Sequence, residues 1–361
     1  MNTISFEQRA NRAVSNWIFL GVIMLLVQVV LGGVTRLTGS GLSITEWNVV
    51  TGALPPMNEQ QWLAEFNKYQ QTPQYRLLNT GFTVSDFKFI FFWEWFHRLW
   101  ARLIGVAFLV GFVYLLAKKY LKKEMVNPLL ILFLLGALQG AIGWIMVASG
   151  LTGDAVYVRP TKLAMHFVFA LGLICYAFWL GLRIKIPAQK RMNHPVLYRW
   201  SWVLIVILFA QLIFGALMAG HKAATAAPTW PTINGSWVPD GLLKEQPVIL
   251  NFFENKATIH FVHRGLAYTL LILIIIYSVK IFRVKPTSTI FRQARRLPII
   301  LVSVQVLLGI LSVLTSTSII PNRWGTFEWM AQLHQIFGML LVLSLVALLF
   351  LTRQSSFRQP S

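Results

Sequence analysis

Four histidines, His97, His166, His263 and His334, each stand near the start of a strongly apolar stretch. A neutral imidazole offers one nitrogen lone pair to a metal, and two imidazoles facing each other across a helix bundle can hold a haem iron from both sides. Two such pairs predict two haems. Arg98 follows His97 and Arg264 follows His263. An arginine inside an apolar boundary either finds a partner or snorkels to headgroups, and haem propionates are planar carboxylates that suit its fork. Glu94 precedes His97 by three residues on a similar helix face, within Phe91-Phe92-Trp93-Glu94-Trp95-Phe96. It reads either as a proton-handling or cation-stabilising group beside one haem, or as an i,i+4 ion pair with Arg98. Its counterpart in the second half of the chain is His260, a rival ligand to His263, but only His263 reproduces the His-Arg pair. His194 and His221 fall in loops.

The elements that must position these groups are membrane helices. The chain has 361 residues, 56% hydrophobic and 12% charged, too apolar for a water-soluble globule. Eight stretches supply the roughly 20 apolar residues that cross a bilayer as helix. They lie near 16–35, 90–117, 128–149, 162–182, 199–219, 258–279, 297–316 and 330–352.

The net charge of +20 is a topology signal, and nucleic acid is not expected as a partner. The N-terminus, 118–127, 183–199, 280–296 and the tail carry 19 Lys and Arg against two acids, Glu7 and Glu124; the other ten acids fall on the opposite side. Runs such as Lys118-Lys119 and Arg295-Arg296 place that face, and both termini, in the cytoplasm. The first residues lack a cleavable secretory pattern, so a bacterial inner membrane is the expected address, with the histidines toward the periplasmic side. Cys175 is the one cysteine, which excludes a disulfide framework and makes it a packing residue.

A repeat organises the spans. Odd-numbered segments share Gln-x-x-x-Gly (Gln28/Gly32, Gln139/Gly143, Gln211/Gly215, Gln305/Gly309) and even-numbered ones carry the histidines; His97 to Gln139 and His263 to Gln305 are both 42 residues. The chain therefore reads as an all-α integral membrane protein. Its two four-helix halves, 1–185 and 195–355, form parallel bundles about a pseudo-twofold along the membrane normal. The Gln/Gly motif reads as helix packing, glycine admitting close approach and the amide bonding across helices. In the 36–90 connection, Trp62, Leu63, Phe66 and Tyr69 predict an amphipathic surface helix, either a lid or simple packing.

Several blocks together resemble haem A synthase, closest to its longer proteobacterial and mitochondrial branch. They are Gly33-Val34-Thr35-Arg36-Leu37-Thr38, Ser40-Gly41-Leu42-Ser43, Pro55-Pro56, Trp93-Glu94-Trp95-Phe96-His97-Arg98, Thr229-Trp230-Pro231, His263-Arg264 and His334-Gln335. The likeness covers most of 17–350 and implies oxidation of the C8 methyl of haem O to a formyl group, giving haem A for terminal oxidases. It also implies that His263 and His334 hold a permanent haem b, that His97 and His166 bracket the substrate haem, and that Glu94 is the catalytic acid. Haem O synthase is the implied partner. The electron donor and self-association into a homo-oligomer have no signature in the sequence. The family's shorter branch uses an outer-loop cysteine pair, which this chain lacks.

Two other readings share parts of this evidence. A di-haem b-type electron carrier uses the same four histidines but usually sets its haems near opposite membrane faces. A repeat-built transporter predicts helices broken by Gly or Pro at the midplane.

Overall fold

The computed structural model describes residues 5–46, 51–319 and 324–354. Residues 47–50 of the first outer connection, the tail from 355 with the far boundary of the second half, and the first four residues lie outside them.

Eight long apolar helices are present among the described residues. They are α1 (Phe6–Leu37), α2 (Val84–Ala117), α3 (Lys123–Ala148), α4 (Pro160–Lys185), α5 (Pro195–Gly220), α6 (Lys256–Phe282), α7 (Leu297–Leu314) and α8 (Thr326–Thr352). No strand occurs among the described residues, as expected where lipid offers no partner for backbone polar groups. The helices run continuously through mid-depth, without the breaks that the transporter reading requires.

Two helices begin well before their apolar stretches, because polar capping boxes start them. Ser5 with Gln8 opens α1, and Thr83 with Asp86 opens α2, each pair satisfying backbone donors at the helix start. At 34 residues, α2 is about 50 Å long and overshoots the roughly 30 Å hydrocarbon layer. Its projecting end receives the predicted surface helix, Glu59–Gln70. Phe66 and Tyr69 are buried there against Phe87, Ile90 and Phe91, whereas Leu63 stays exposed. That helix packs on the flank of α2, so packing describes it better than a lid.

Within the first half α1 packs on α2 and α4, and α3 packs on α4; within the second, α5 packs on α6 and α8, and α7 on α8 and α6. The halves meet along α1–α8, α4–α5 and α4–α8. Exchanging α1 with α5 and α4 with α8 reproduces this set of neighbours. Helix α8 is the most deeply buried span, with Leu345 and Leu348 fully enclosed beside Leu204, Ile274 and Tyr277.

The seam between halves is polar on one side. Gln332 Nε2 donates to the Val30 carbonyl at 3.3 Å and Gln335 Nε2 to the Val29 carbonyl at 2.8 Å. Both amides crowd Gly33, where any side chain on α1 would collide with them. Arg36, in the last turn of α1, donates to the Ala219 carbonyl at the end of α5. Such bonds hold spans together where the hydrophobic effect between helices is weak.

Candidate functional site

The four histidines lie on α2, α4, α6 and α8, and each faces the Gln-x-x-x-Gly motif of the span before it. Gln28 Nε2 lies 3.2 Å from both ring nitrogens of His97 and 3.2 Å from its carbonyl oxygen. Gln139 Nε2 lies 3.0 Å from His166 Nδ1 and 3.0 Å from the His166 carbonyl. In the second half, Gln211 Nε2 is 3.4 Å from His263 Nε2 and Gln305 Nε2 is 3.3 Å from His334 Nε2. His334 Nδ1 also sits 3.0 Å from the Gln305 carbonyl, so that nitrogen carries the proton and Nε2 holds the lone pair, which here accepts from the Gln305 amide and which a metal would take in its place.

The glycines complete the seat. A Cβ built on Gly32, Gly143, Gly215 or Gly309 would fall 3.2, 2.8, 3.2 or 2.9 Å from Cε1 of His97, His166, His263 or His334. Each ring therefore presses its Cε1–Nδ1 edge on bare backbone. Helix packing is the role expected of the motif; its amide does bond across helices, and the motif also seats a histidine ring.

A cavity of about 1120 Å³ touches all four imidazoles, larger than ordinary small-ligand pockets of about 300–1,000 Å³. His263 and His334 face each other with ring centroids 6.4 Å apart and planes at 74°. A metal held about 2 Å from one nitrogen of each ring places ring centres roughly 6 Å apart, so this pair has the right spacing for one iron between them. The Oε1 atoms of Gln28, Gln139, Gln211 and Gln305, and Nδ1 of His263, are buried without a protein partner; an iron porphyrin has no N–H to donate to the amide oxygens, so the fit rests on the imidazole pair and the glycine cradle. The donor set and cradle fit a haem between the paired rings.

Glu94 is 2% exposed but is not surrounded by aromatics alone. Its Oε2 accepts from Ser43 N at 2.8 Å, Ser43 Oγ at 2.7 Å and Ile44 N at 3.0 Å, and its Oε1 accepts from Arg98 at 2.6 Å. The i,i+4 ion pair foreseen as the structural alternative is thus formed. Arg98 also donates to the carbonyls of Ile44 and Glu46. Ser43 stands in the Ser40–Ser43 block, and its partner lies 51 residues along the chain, too far for a local pattern to reveal.

The second half repeats this arrangement with different chemistry. His260, 1% exposed, accepts from Arg264 Nε at 2.9 Å through Nε2. Arg264 also donates to the carbonyls of Thr229, Pro231 and Thr232. Both arginines thus tie an outer loop to the helix that bears a histidine. His260 occupies the place of Glu94 and does not displace His263 from its Gln211/Gly215 seat. His194 caps α5, accepting from Leu197 N, and His221 donates to the Phe253 carbonyl; neither joins the cavity.

An all-helical membrane protein with paired imidazoles over one cavity is the class that fold and site define. Residues 15–346 match the family COX15-CtaA, described as cytochrome oxidase assembly protein. The chain is also 40% identical over 314 residues to a protein named heme A synthase from Bartonella henselae, covering 87% of each. It is 42% identical over 322 residues to one from Bradyrhizobium diazoefficiens, covering 88% of each. A third relative of that name, from Brucella suis, is 38% identical over 347 residues, covering 95% of this chain and 92% of its own. The chain belongs to the COX15-CtaA family.

Proposed function

We propose that this protein is a membrane oxidoreductase that converts the C8 methyl of haem O into the formyl group of haem A for terminal oxidases. The observation that carries the reading is the facing pair His263 and His334 at haem-iron spacing, repeated in kind by the identically seated His97 and His166 in a chain whose relatives are named heme A synthase. The reading has two four-helix halves, 1–185 and 195–355, related by a pseudo-twofold along the membrane normal and set in a bacterial inner membrane. Both termini are cytoplasmic and the haem sites lie toward the periplasm.

In this reading His263 and His334 hold a resident haem b, and His97 and His166 bracket the substrate haem O. The resident haem supplies one-electron transfer. Glu94, one turn from His97, is a fixed negative group that stabilises positive charge or takes a proton as the methyl carbon is oxidised. Ser43 and Arg98 hold its carboxylate in one orientation. Arg98 and Arg264 stand at the outer rim, where propionates of each haem would meet a guanidinium. Haem O synthase would deliver the substrate, and a separate protein would serve as electron donor or acceptor.

The test is pigment analysis by chromatography and mass spectrometry of cells expressing this chain with haem O synthase. Haem A is expected with the parent chain. Glu94→Ala is expected to retain bound haem b and accumulate haem O. Folded, haem-b-loaded parent protein beside unconverted haem O would instead favour a passive di-haem carrier.

A further inference from the structure

The two halves seat their histidines alike but close their walls differently. In the second half, α6 and α7 pack together, and Leu270, Ile274 and Val302 belong to the main buried core. In the first half, α2 and α3 barely touch. Their rings meet at Phe108 and Phe133, stacked with centroids 5.9 Å apart and planes at 27°. From that stack toward the histidines the facing positions are glycines. Gly105 on α2 and Gly136 and Gly140 on α3 are exposed, line the cavity, and would meet nothing within 4 Å if each gained a Cβ.

The 166-residue shift that carries His97 onto His263 carries Gly105, Gly136 and Gly140 onto Leu271, Val302 and Val306. Val302 is 2% exposed, and Leu271 and Val306 pack on the core. One half is plugged where the other is open. Glycine is a costly choice inside a helix, by about 1 kcal/mol relative to alanine. Gly143, three residues beyond Gly140, is explained by His166, whereas nothing among the described residues leans on the other three.

The gap lies near the middle of α3 (Lys123–Ala148), at hydrocarbon depth, between outward-facing Val106 and Leu134. It leads into the cavity that His97 and His166 line. A passage opening sideways into lipid suits a flat, apolar porphyrin with a hydrocarbon tail, and suits water-soluble molecules poorly. We infer that haem O enters, and haem A leaves, laterally from the bilayer through a window between α2 and α3, floored by the Phe108–Phe133 stack and kept open by Gly105, Gly136 and Gly140. This rests on the proposed assignment of His97 and His166 to the substrate.

The experiment imports the plug of the second half, as Gly136→Val with Gly140→Val, into the full-length protein co-expressed with haem O synthase. Resident haem b, read from its optical spectrum, is expected to stay at parent level, while haem O or haem A co-purifying with the protein and the rate of haem A formation both fall at least tenfold. Because a valine pair can impair folding, a second arm uses Gly136→Cys in a Cys175→Ala background. After purification in nanodiscs with haem b in place, a bulky apolar methanethiosulfonate is attached, and loading of added haem O should fall and return on reduction. Parent-rate loading in the haem-b-replete valine variant, or in the modified cysteine variant, overturns the window. Absence of conversion by the unmodified parent overturns the proposed function instead.

Discussion

Gly309→Ala puts the histidine seat to a direct test. The added Cβ would stand 2.9 Å from His334 Cε1 and 3.4 Å from Nδ1, against about 3.5–4.0 Å for carbon atoms in normal contact. The ring must therefore retreat by roughly 0.6–1 Å. Without metal it can swing into the cavity, so the strain falls on the metal-bound state. Overpacking of this kind costs about 1–3 kcal/mol, which lowers haem affinity about 5- to 150-fold. The ring should also tilt, shifting the midpoint potential and the low-spin signal of the haem. Gly265→Ala is the control: it lies two residues after His263 on α6, with nothing within 4 Å of its Cβ, and should leave haem unaltered while stabilising the helix by up to about 1 kcal/mol. Haem per protein, redox titration and electron paramagnetic resonance of both variants provide the assay. Full haem content with an unshifted potential and spectrum in Gly309→Ala would refute the cradle.

Three further outcomes are expected. Ser43→Ala removes one charge-assisted hydrogen bond to Glu94, worth about 1.5–3 kcal/mol, and should reduce haem A yield about tenfold or more with haem b content unchanged; an unaltered ratio of haem A to haem O in extracted pigment would separate Ser43 from the reaction. Arg264→Lys loses the fork that gathers Thr229, Pro231 and Thr232, since an ammonium cannot span those acceptors, and amide exchange over 229–232 should quicken while exchange in the helix Glu59–Gln70 does not. Burial pushes the Tyr69 phenol up to about 12, against about 10 in the unfolded chain; the folded state holds its proton longer, so its packing is unaffected below pH of about 10 and weakens between about 10 and 12. Tryptophan fluorescence from Trp62, beside Phe91, should report that loss in the parent and not in Tyr69→Phe.

What could be read from the chain was governed by periodicity and length. The eight spans follow from stretches of about 20 apolar residues, and the histidine rows follow from a shift that recurs within two residues. Helix starts were less legible, because Ser5/Gln8 and Thr83/Asp86 are polar and an apolar count passes over them. The Gln/Gly motif was visible, but which atoms lie across a helix face is decided by the neighbouring span; the sequence supports packing and ring-seating equally. Contacts such as Ser43 to Glu94, or Gln335 to the Val29 carbonyl 306 residues away, join segments that share no local pattern. Of the partners of Glu94, Arg98 could be foreseen from its i,i+4 spacing, whereas Ser43 and Ile44 come from a loop 51 and 50 residues away.

On the proposed assignment, the division of labour between the halves becomes a question of walls. Both halves offer iron the same chemistry, two imidazoles each backed by a glutamine and seated on a glycine. Equal ligands give similar bonds to iron, so they cannot by themselves make one haem permanent and the other exchangeable. The differences lie around them. Beside His263, His260 takes the place of Glu94, and Val302 and Val306 take the places of Gly136 and Gly140. Beside His334, Gln332 and Gln335 pin α8 to α1, where the corresponding residues of α4, Ala164 and Phe167, are apolar. A closed, pinned bundle lengthens residence by raising the barrier to escape, and an open one admits exchange while keeping a fixed carboxylate next to the reacting ring. On the proposed assignment, evolution of an enzyme from a duplicated haem bundle required few changes at the iron and several in the walls and at the −3 position.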